Sequence, residues 1–163
     1  MRTGIVVAAV MLVAAGALAA QSGVGLGVSV GAAFPQGSTA DIASDDWEPS
    51  LNWGFYVNIP LLSSFAITPS SELYKLGEEN ATDMALSFKF IVPLPRFDLY
   101  AGFVPGLTAV GSRTAPHVGA VAGGSFALVS NLDMFVQGKY KILFDGSENM
   151  RVLHLNAGVL FRF

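Results

Sequence analysis

Residues 151–163 alternate between two kinds of side chain, and this alternation constrains the fold more than any other feature of the chain. The odd positions are apolar from Leu153 onward, whereas the even positions include His154, Asn156 and Arg162. Successive side chains of a β-strand point to opposite faces. The segment is therefore predicted to be a strand with one apolar face and one polar face, and its last residue is aromatic.

The same alternation recurs along the chain and predicts eight strands. They are residues 23–32, 51–59, 65–76, 84–92, 96–103, 117–128, 132–144 and 151–163. Pro69 interrupts the third strand, and because proline cannot donate a hydrogen bond to a sheet, we expect a bulge or bend there. Short connections are predicted near Leu62, Pro95 and Asn131. Longer, more polar connections are predicted at 35–50, 77–82, 111–116 and 145–149. This alternation of lengths favours an antiparallel, up-and-down β-barrel.

Six polar or charged residues of the predicted strands share the face opposite the apolar one: Lys89, Asp98, Lys139, Lys141, His154 and Arg162. In a soluble carrier barrel the apolar face points inward, whereas here the inward face would carry the charges. A lysine that faces lipid near the bilayer midplane costs about 2–4 kcal/mol. A closed barrel also satisfies every strand N–H and C=O in lipid. The predicted fold is therefore an all-β, eight-stranded transmembrane barrel with an apolar exterior.

Eight strands enclose an interior that side chains can fill, so we expect a paired polar network rather than a wide channel. Its predicted members are Glu72, Lys89, Arg96, Asp98, Lys139, Lys141, His154 and Arg162, with Tyr56, Gln137 and Asn156 beside them and Asp133 as a further anionic partner. More cations than anions point inward in this register. A narrow, anion-favouring water path remains an alternative to lysines that are simply solvated near the barrel mouth.

The amino-terminal residues predict an export signal. Arg2 precedes the apolar residues 5–13, and small residues lead to Ala19, which is the arrangement of a secretory signal peptide. Cleavage after Ala19 or Ala20 would divide the chain into a signal peptide, 1–20, and one barrel domain, 21–163.

The composition excludes several classes of partner and anchor. The net charge is −3 and lysine and arginine do not cluster, so nucleic acid is not an expected partner. There is no cysteine, which excludes a lipidated cysteine and a disulfide framework.

The export signal, the early alternation at 25–28, the segment 100–102 and the closing segment 155–163 resemble the small eight-stranded outer-membrane barrels of the OmpA, OmpX and OmpW group. The resemblance implies an outer-membrane location, contact with membrane lipid and lipopolysaccharide, insertion by the barrel-assembly machinery, and a monomer. In that family a terminal phenylalanine is part of the assembly signal, so Phe161 and Phe163 are the corresponding residues here. The alternative is that Phe163 only anchors the strand at the membrane interface.

Three functions follow from these expectations. The first is a mainly structural envelope protein with a packed or narrow polar lumen. The second is an OmpW-like passive transporter of small hydrophobic molecules, with Pro69 and Pro105 interrupting the wall. The third is a lipid-A-modifying enzyme, for which only His117 and His154 are available as bases; Ser112 and Ser125 are loose candidates for a nucleophile beside His117. We predict no catalytic residues, no metal site and no cofactor.

Most carboxylates are expected at one rim of the barrel, where they would solvate the outward loops or bind divalent cations that bridge to lipopolysaccharide. These residues are Asp41, Asp45, Asp46, Glu48, Glu78, Glu79, Asp83, Asp145 and Glu148.

Overall fold

The computed structural model describes residues 23–36, 48–145 and 148–163. These ranges form β1 (Gly25–Gln36), β2 (Ser50–Leu62), β3 (Phe65–Leu76), β4 (Glu79–Pro93), β5 (Asp98–Val110), β6 (Arg113–Val129), β7 (Leu132–Asp145) and β8 (Glu148–Arg162). Each strand pairs antiparallel with the next, and β8 pairs with β1 to close the barrel. The prediction of an eight-stranded, antiparallel, up-and-down barrel is confirmed. The predicted signal peptide, 1–20, lies outside the described residues.

The two ends of the barrel differ. At the end that we call the terminal end, Gly23 N donates to Phe163 O at 3.1 Å, so the two sides of the closure meet there. The β2–β3, β4–β5 and β6–β7 turns lie at this end, since the strands alternate in direction. The opposite end, which we call the loop end, carries the β1–β2, β3–β4, β5–β6 and β7–β8 connections. In the described ranges, no helix is long and apolar enough to cross a membrane.

Three connections at the loop end are much shorter than predicted. Leu76 pairs with Glu79, and Val110 pairs with Arg113, which leaves two-residue turns. Gly77 and Gly111 take the first turn position with φ of 59° and 56°, a conformation that glycine adopts without steric cost. Asp145 likewise pairs with Glu148. The predicted loops at 77–82, 111–116 and 145–149 were therefore wrong, because polar residues continue the strands to the turns.

The predicted bulge at Pro69 was also wrong. The register between β2 and β3 is the same at Trp53↔Leu73 and at Pro60↔Ala66, on either side of Pro69, and it shifts only between Pro60 and Leu62. Beside Pro69, Thr68 Oγ1 donates to Asn58 Oδ1 at 3.0 Å and links the two strands through their side chains. This bond compensates for the donor that proline lacks.

The strands place apolar side chains outside and polar side chains inside. The most exposed outward residues include Val30, Leu51, Phe55, Leu62, Phe90, Val92, Phe103, Val136 and Leu155. On the inner face, Asn52, Glu72, Asp83, Lys139, Lys141 and His154 are at most 1% exposed. The predicted sidedness of the barrel therefore holds in the described strands.

Candidate functional site in the barrel interior

An apolar layer fills the lumen at the loop end. It is a cluster of buried residues from strands all round the barrel: Ala33, Tyr74, Leu76, Ala81, Val110, Leu143, Met150 and Val152. These side chains meet across the axis because each is an inward residue near the loop end of its strand. We call this layer the lid.

Glu72 lies below the lid and binds side chains from β2, β7 and β8. Its Oε1 accepts hydrogen bonds from Lys139 Nζ at 2.8 Å and from Asn156 Nδ2 at 3.2 Å. Tyr56 Oη also donates to this oxygen. His154 Nδ1 lies 3.3 Å from Glu72 Oε2. All five residues are buried. Because water does not hydrate the carboxylate and the ammonium group there, their pairing compensates for the lost hydration.

Asp83 forms a second buried centre beside the first. Lys141 Nζ donates to Asp83 Oδ2, and His117 Nε2 lies 3.8 Å from Asp83 Oδ1. The other ring nitrogen of His117, Nδ1, lies 3.1 Å from Thr108 Oγ1. The rings of Tyr56 and Tyr74 lie 5.0 and 5.2 Å from the ammonium groups of Lys139 and Lys141, and such contacts stabilise cations. Together the two centres form a charge-balanced layer of two carboxylates and two ammonium groups.

The terminal end is more open. A cavity of about 300 Å³ opens there, lined by polar and apolar side chains. Arg162 Nη2 lies 2.9 Å from Asp133 Oδ1 at its rim, and the Arg162 side chain is 40% exposed. Lys89 Nζ lies deeper in the cavity, 4.5 Å from the centroid of the Tyr100 ring.

The predicted network is divided among these levels. Glu72, Lys139 and His154 lie in the first buried centre and Lys141 in the second, whereas Lys89, Asp98 and Arg162 line the cavity at the terminal end. Arg96 is a correction: it lies in the β4–β5 turn, outside the strands, and is exposed to solvent. The sequence predicted that a strand begins at Arg96, whereas in the structure the chain between Pro93 and Asp98 forms a turn.

The second buried centre was not predicted from the sequence. Asp83 was expected on the acidic rim and His117 at the start of a strand, whereas both are buried within strands. The signal was present, because Asp83 has the same parity as the inward residues Ala85, Ser87 and Lys89. Extending the alternation of β4 to the glycine turn would have placed Asp83 inside. Asp41, Asp45 and Asp46 of the expected rim lie outside the described residues.

The buried centres have few chemical possibilities beyond pairing. Glu72, Asp83 and His154 offer possible metal-ligating atoms within 4.8 Å of one another. However, Lys139 and Lys141 bind the same two carboxylates, so a cation would have to displace an ammonium group. Lysine pairing therefore accounts for the geometry without a metal.

A hydroxyl, an imidazole and a carboxylate also lie together at Thr108, His117 and Asp83. Nucleophilic catalysis needs a hydroxyl in contact with a base and the base in contact with a third, orienting group, but the hydroxyl must also reach a substrate. Thr108 is fully buried and does not line the cavity at the terminal end. His117 therefore contacts Thr108 rather than Ser112 or Ser125, in a position closed to lipid.

The fold has counterparts among solved structures. Neisserial surface protein A matches with a TM-score of 0.72 at 15% identity, covering 86% of this chain and 97% of that one. Ail, the attachment invasion locus protein of Yersinia pestis, matches with a TM-score of 0.59 at 11% identity, covering 88% and 99%. The fold is that of the small outer-membrane barrels. At these identities the similarity establishes the fold alone. No protein-family model and no curated protein matches the sequence.

Within this fold, each of the two prolines that the transport hypothesis invoked is paired on one side only, because the β2–β3 ladder lapses beside Pro69 and the β4–β5 ladder lapses beside Pro105. Pro69 pairs with Leu86 of β4, and Pro105 pairs with Val118 of β6. The register of each strand nevertheless continues past its proline. The lateral opening expected for an OmpW-like transporter therefore gains no support from Pro69 or Pro105.

Proposed function

We propose that the chain is an integral protein of the bacterial outer membrane with a mainly structural role in the envelope and a lumen closed by its own side chains. The observation that carries this proposal is the stacking of the lid on the paired charges of Glu72, Asp83, Lys139 and Lys141. A transport pore needs a continuous water path, whereas these two layers fill the lumen one below the other.

The outer-membrane location rests on the exterior and on the fold. Exposed leucine, valine and phenylalanine side chains cover the strands, as lipid contact requires, and the fold is that of the small outer-membrane barrels. Lipid and lipopolysaccharide are the expected surroundings. Insertion by the barrel-assembly machinery, through Phe161 and Phe163, and a monomeric state are parts of the same proposal.

A structural role, rather than catalysis, is favoured by the burial of both histidines. His154 is fully buried between Asn52 Nδ2, at 2.7 Å, and Glu72 Oε2, at 3.3 Å. His117 is buried against Thr108 and Asp83. Neither ring is placed to activate a group that a lipid substrate reaches.

Gene deletion and complementation in the native host test the proposal. Deletion should increase sensitivity to detergents, and the intact chain should restore resistance while sedimenting with the outer membrane. Thr108→Val should restore resistance equally, with lipid-A acyl composition unchanged throughout. A difference in gel migration between the unheated and the heated sample checks that the variant is folded. Lipid-A changes that follow deletion and are not corrected by folded Thr108→Val would overturn the structural role in favour of catalysis.

A further inference from the structure

Lys89 is a buried lysine whose amino group forms no ion pair with a carboxylate in the described part of the chain. Its Nζ has no acidic oxygen within 4.0 Å, in contrast to Lys139 and Lys141 of the charge-balanced layer. Its recorded partner is the ring of Tyr100, and the residue is only 8% exposed. A buried charge is costly unless it is paired, so this position favours an anion from outside the chain.

The acidic residue on the neighbouring strand lies too far along the barrel to serve. Asp98 pairs with Pro93, four residues from Lys89, which is about 13 Å along the strand. Asp133 binds Arg162 at the rim. The carboxylates of the cavity therefore lie at its mouth, whereas the unpaired ammonium group lies inside it.

The cavity around Lys89 has the mixed lining of a small-molecule site. Its walls carry apolar side chains from Ile91, Phe135 and Leu160 and polar groups from Asn58 and Thr68. Its volume of about 300 Å³ is at the small end of ligand pockets, which are roughly 300–1,000 Å³. A single lysine compensates one negative charge, and the apolar walls suit a carbon skeleton.

From this geometry we infer that the cavity at the terminal end binds a compact organic monocarboxylate, with its carboxylate on Lys89 Nζ and its apolar part against Ile91, Phe135 and Leu160. The site is independent of the structural role proposed above. The cavity opens at the terminal end, so binding does not require passage through the two buried centres.

Benzoate is a suitable probe because it is small, singly charged and water-soluble. The full chain, folded into phosphatidylcholine nanodiscs, should bind benzoate saturably in calorimetric titrations. Benzyl alcohol has the same ring without the charge, and inorganic phosphate has charge without an apolar part. Both should bind at least about tenfold more weakly than benzoate, because each lacks one half of the proposed contacts.

Three variants distinguish a specific contact between benzoate and Lys89 from a general effect of the positive charge at this end of the barrel. Lys89→Met keeps the length of the side chain and should weaken benzoate binding at least about tenfold. Lys89→Arg should retain it. Arg96→Met is the matched control, because it removes an exposed cation at the same end of the barrel, and it should leave the affinity unchanged.

A direct readout on the unmodified chain covers the case in which Lys89→Met does not fold. With lysine labelled at Cε, benzoate should shift the Lys89 resonance and leave that of exposed Lys75 in place. Absence of saturable benzoate binding, equal binding of benzyl alcohol or phosphate, or binding that leaves the Lys89 resonance unmoved would each overturn the assignment.

Discussion

The ammonium group of Lys139 lies 2.8 Å from the carboxylate of Glu72, although 67 residues separate them in the chain. Glu72 is on β3 and Lys139 is on β7, which are four places apart in a ring of eight strands. The pair therefore spans the lumen from wall to wall. It forms only when the sheet has curled far enough to bring β3 and β7 face to face, so it links the curvature of the barrel to the burial of charge.

Removing one member of this pair should destabilise the barrel strongly. Glu72→Gln leaves Lys139 buried without its carboxylate, and we expect the free energy of unfolding to fall by about 3–5 kcal/mol. The double variant Glu72→Gln/Lys139→Met should lose less than the sum of the single variants, because the two act on one interaction. Urea unfolding in lipid vesicles measures these values. Arg162→Gln is the control, since the half-exposed pair with Asp133 is worth only about 0–1 kcal/mol. Additive losses would contradict the coupling.

The lid should contribute to stability without acting as the only barrier to ions. Leu143 is fully buried, so Leu143→Ala should cost about 2–5 kcal/mol. Leu99 is a matched outward leucine on the lipid face, and Leu99→Ala should cost less because lipid can fill the space. In planar bilayers, neither variant nor the unmodified barrel should conduct steadily, because the ion-paired layer below the lid remains. Steady conductance by the unmodified barrel would show that the lumen is open.

Two glycines on neighbouring strands should respond differently to an added methyl group. A Cβ at Gly158 would collide with the backbone oxygen of Val28 and lie 2.6 Å from Cζ of Phe135, whereas one at Gly138 would first meet Leu155 Cδ2 at 3.5 Å. Gly158→Ala is therefore expected to lower the free energy of unfolding by about 1–3 kcal/mol through overpacking. Gly138→Ala should be neutral or slightly stabilising. The same urea titrations distinguish them, and equal effects would contradict the inward position of Gly158.

The terminal aromatic residue should matter more for assembly than for stability. Phe163 is 52% exposed and packs edge-on against Phe161, with ring centroids 5.1 Å apart. If it is read as an assembly signal, Phe163→Ala should reduce the amount of folded barrel in the outer membrane of cells, while purified protein refolds with nearly unchanged stability. Phe97→Ala, which truncates an exposed phenylalanine in a turn at the same end, is the control. Parallel losses in both assays would favour simple anchoring.

The alternation in the sequence was sufficient to predict the strands and their two faces. Each side chain of a strand must go either to lipid or to the lumen, so the parity of Lys139, Lys141 and His154 placed them inside before any contact was known. The same argument could not identify partners across the lumen. That Lys141 meets Asp83 rather than Glu72 depends on the tilt and register of strands that are distant in the sequence.

The errors came from polar residues near strand ends. Thr82 and Asp83 have the composition of a loop, yet β4 continues through them to the glycine turn because pairing to β3 and β5 outweighs local preference. At Arg96 the opposite happened, because the turn after Pro93 continues to Phe97 and β5 begins at Asp98, two residues later than predicted. Local composition marks turns well when glycine or proline occupies them, and poorly when only polarity does.

Sidedness is the central claim, and spin-label accessibility along β8 tests it most directly. Single cysteines placed in turn at positions 153–157, in a chain with no native cysteine, would carry the label in lipid vesicles. The account predicts a period of two, with odd positions such as Leu155 accessible to oxygen in the lipid and even positions such as His154 and Asn156 protected from both oxygen and a water-soluble nickel complex. Odd positions accessible to the nickel complex, or a pattern without period two, would contradict it.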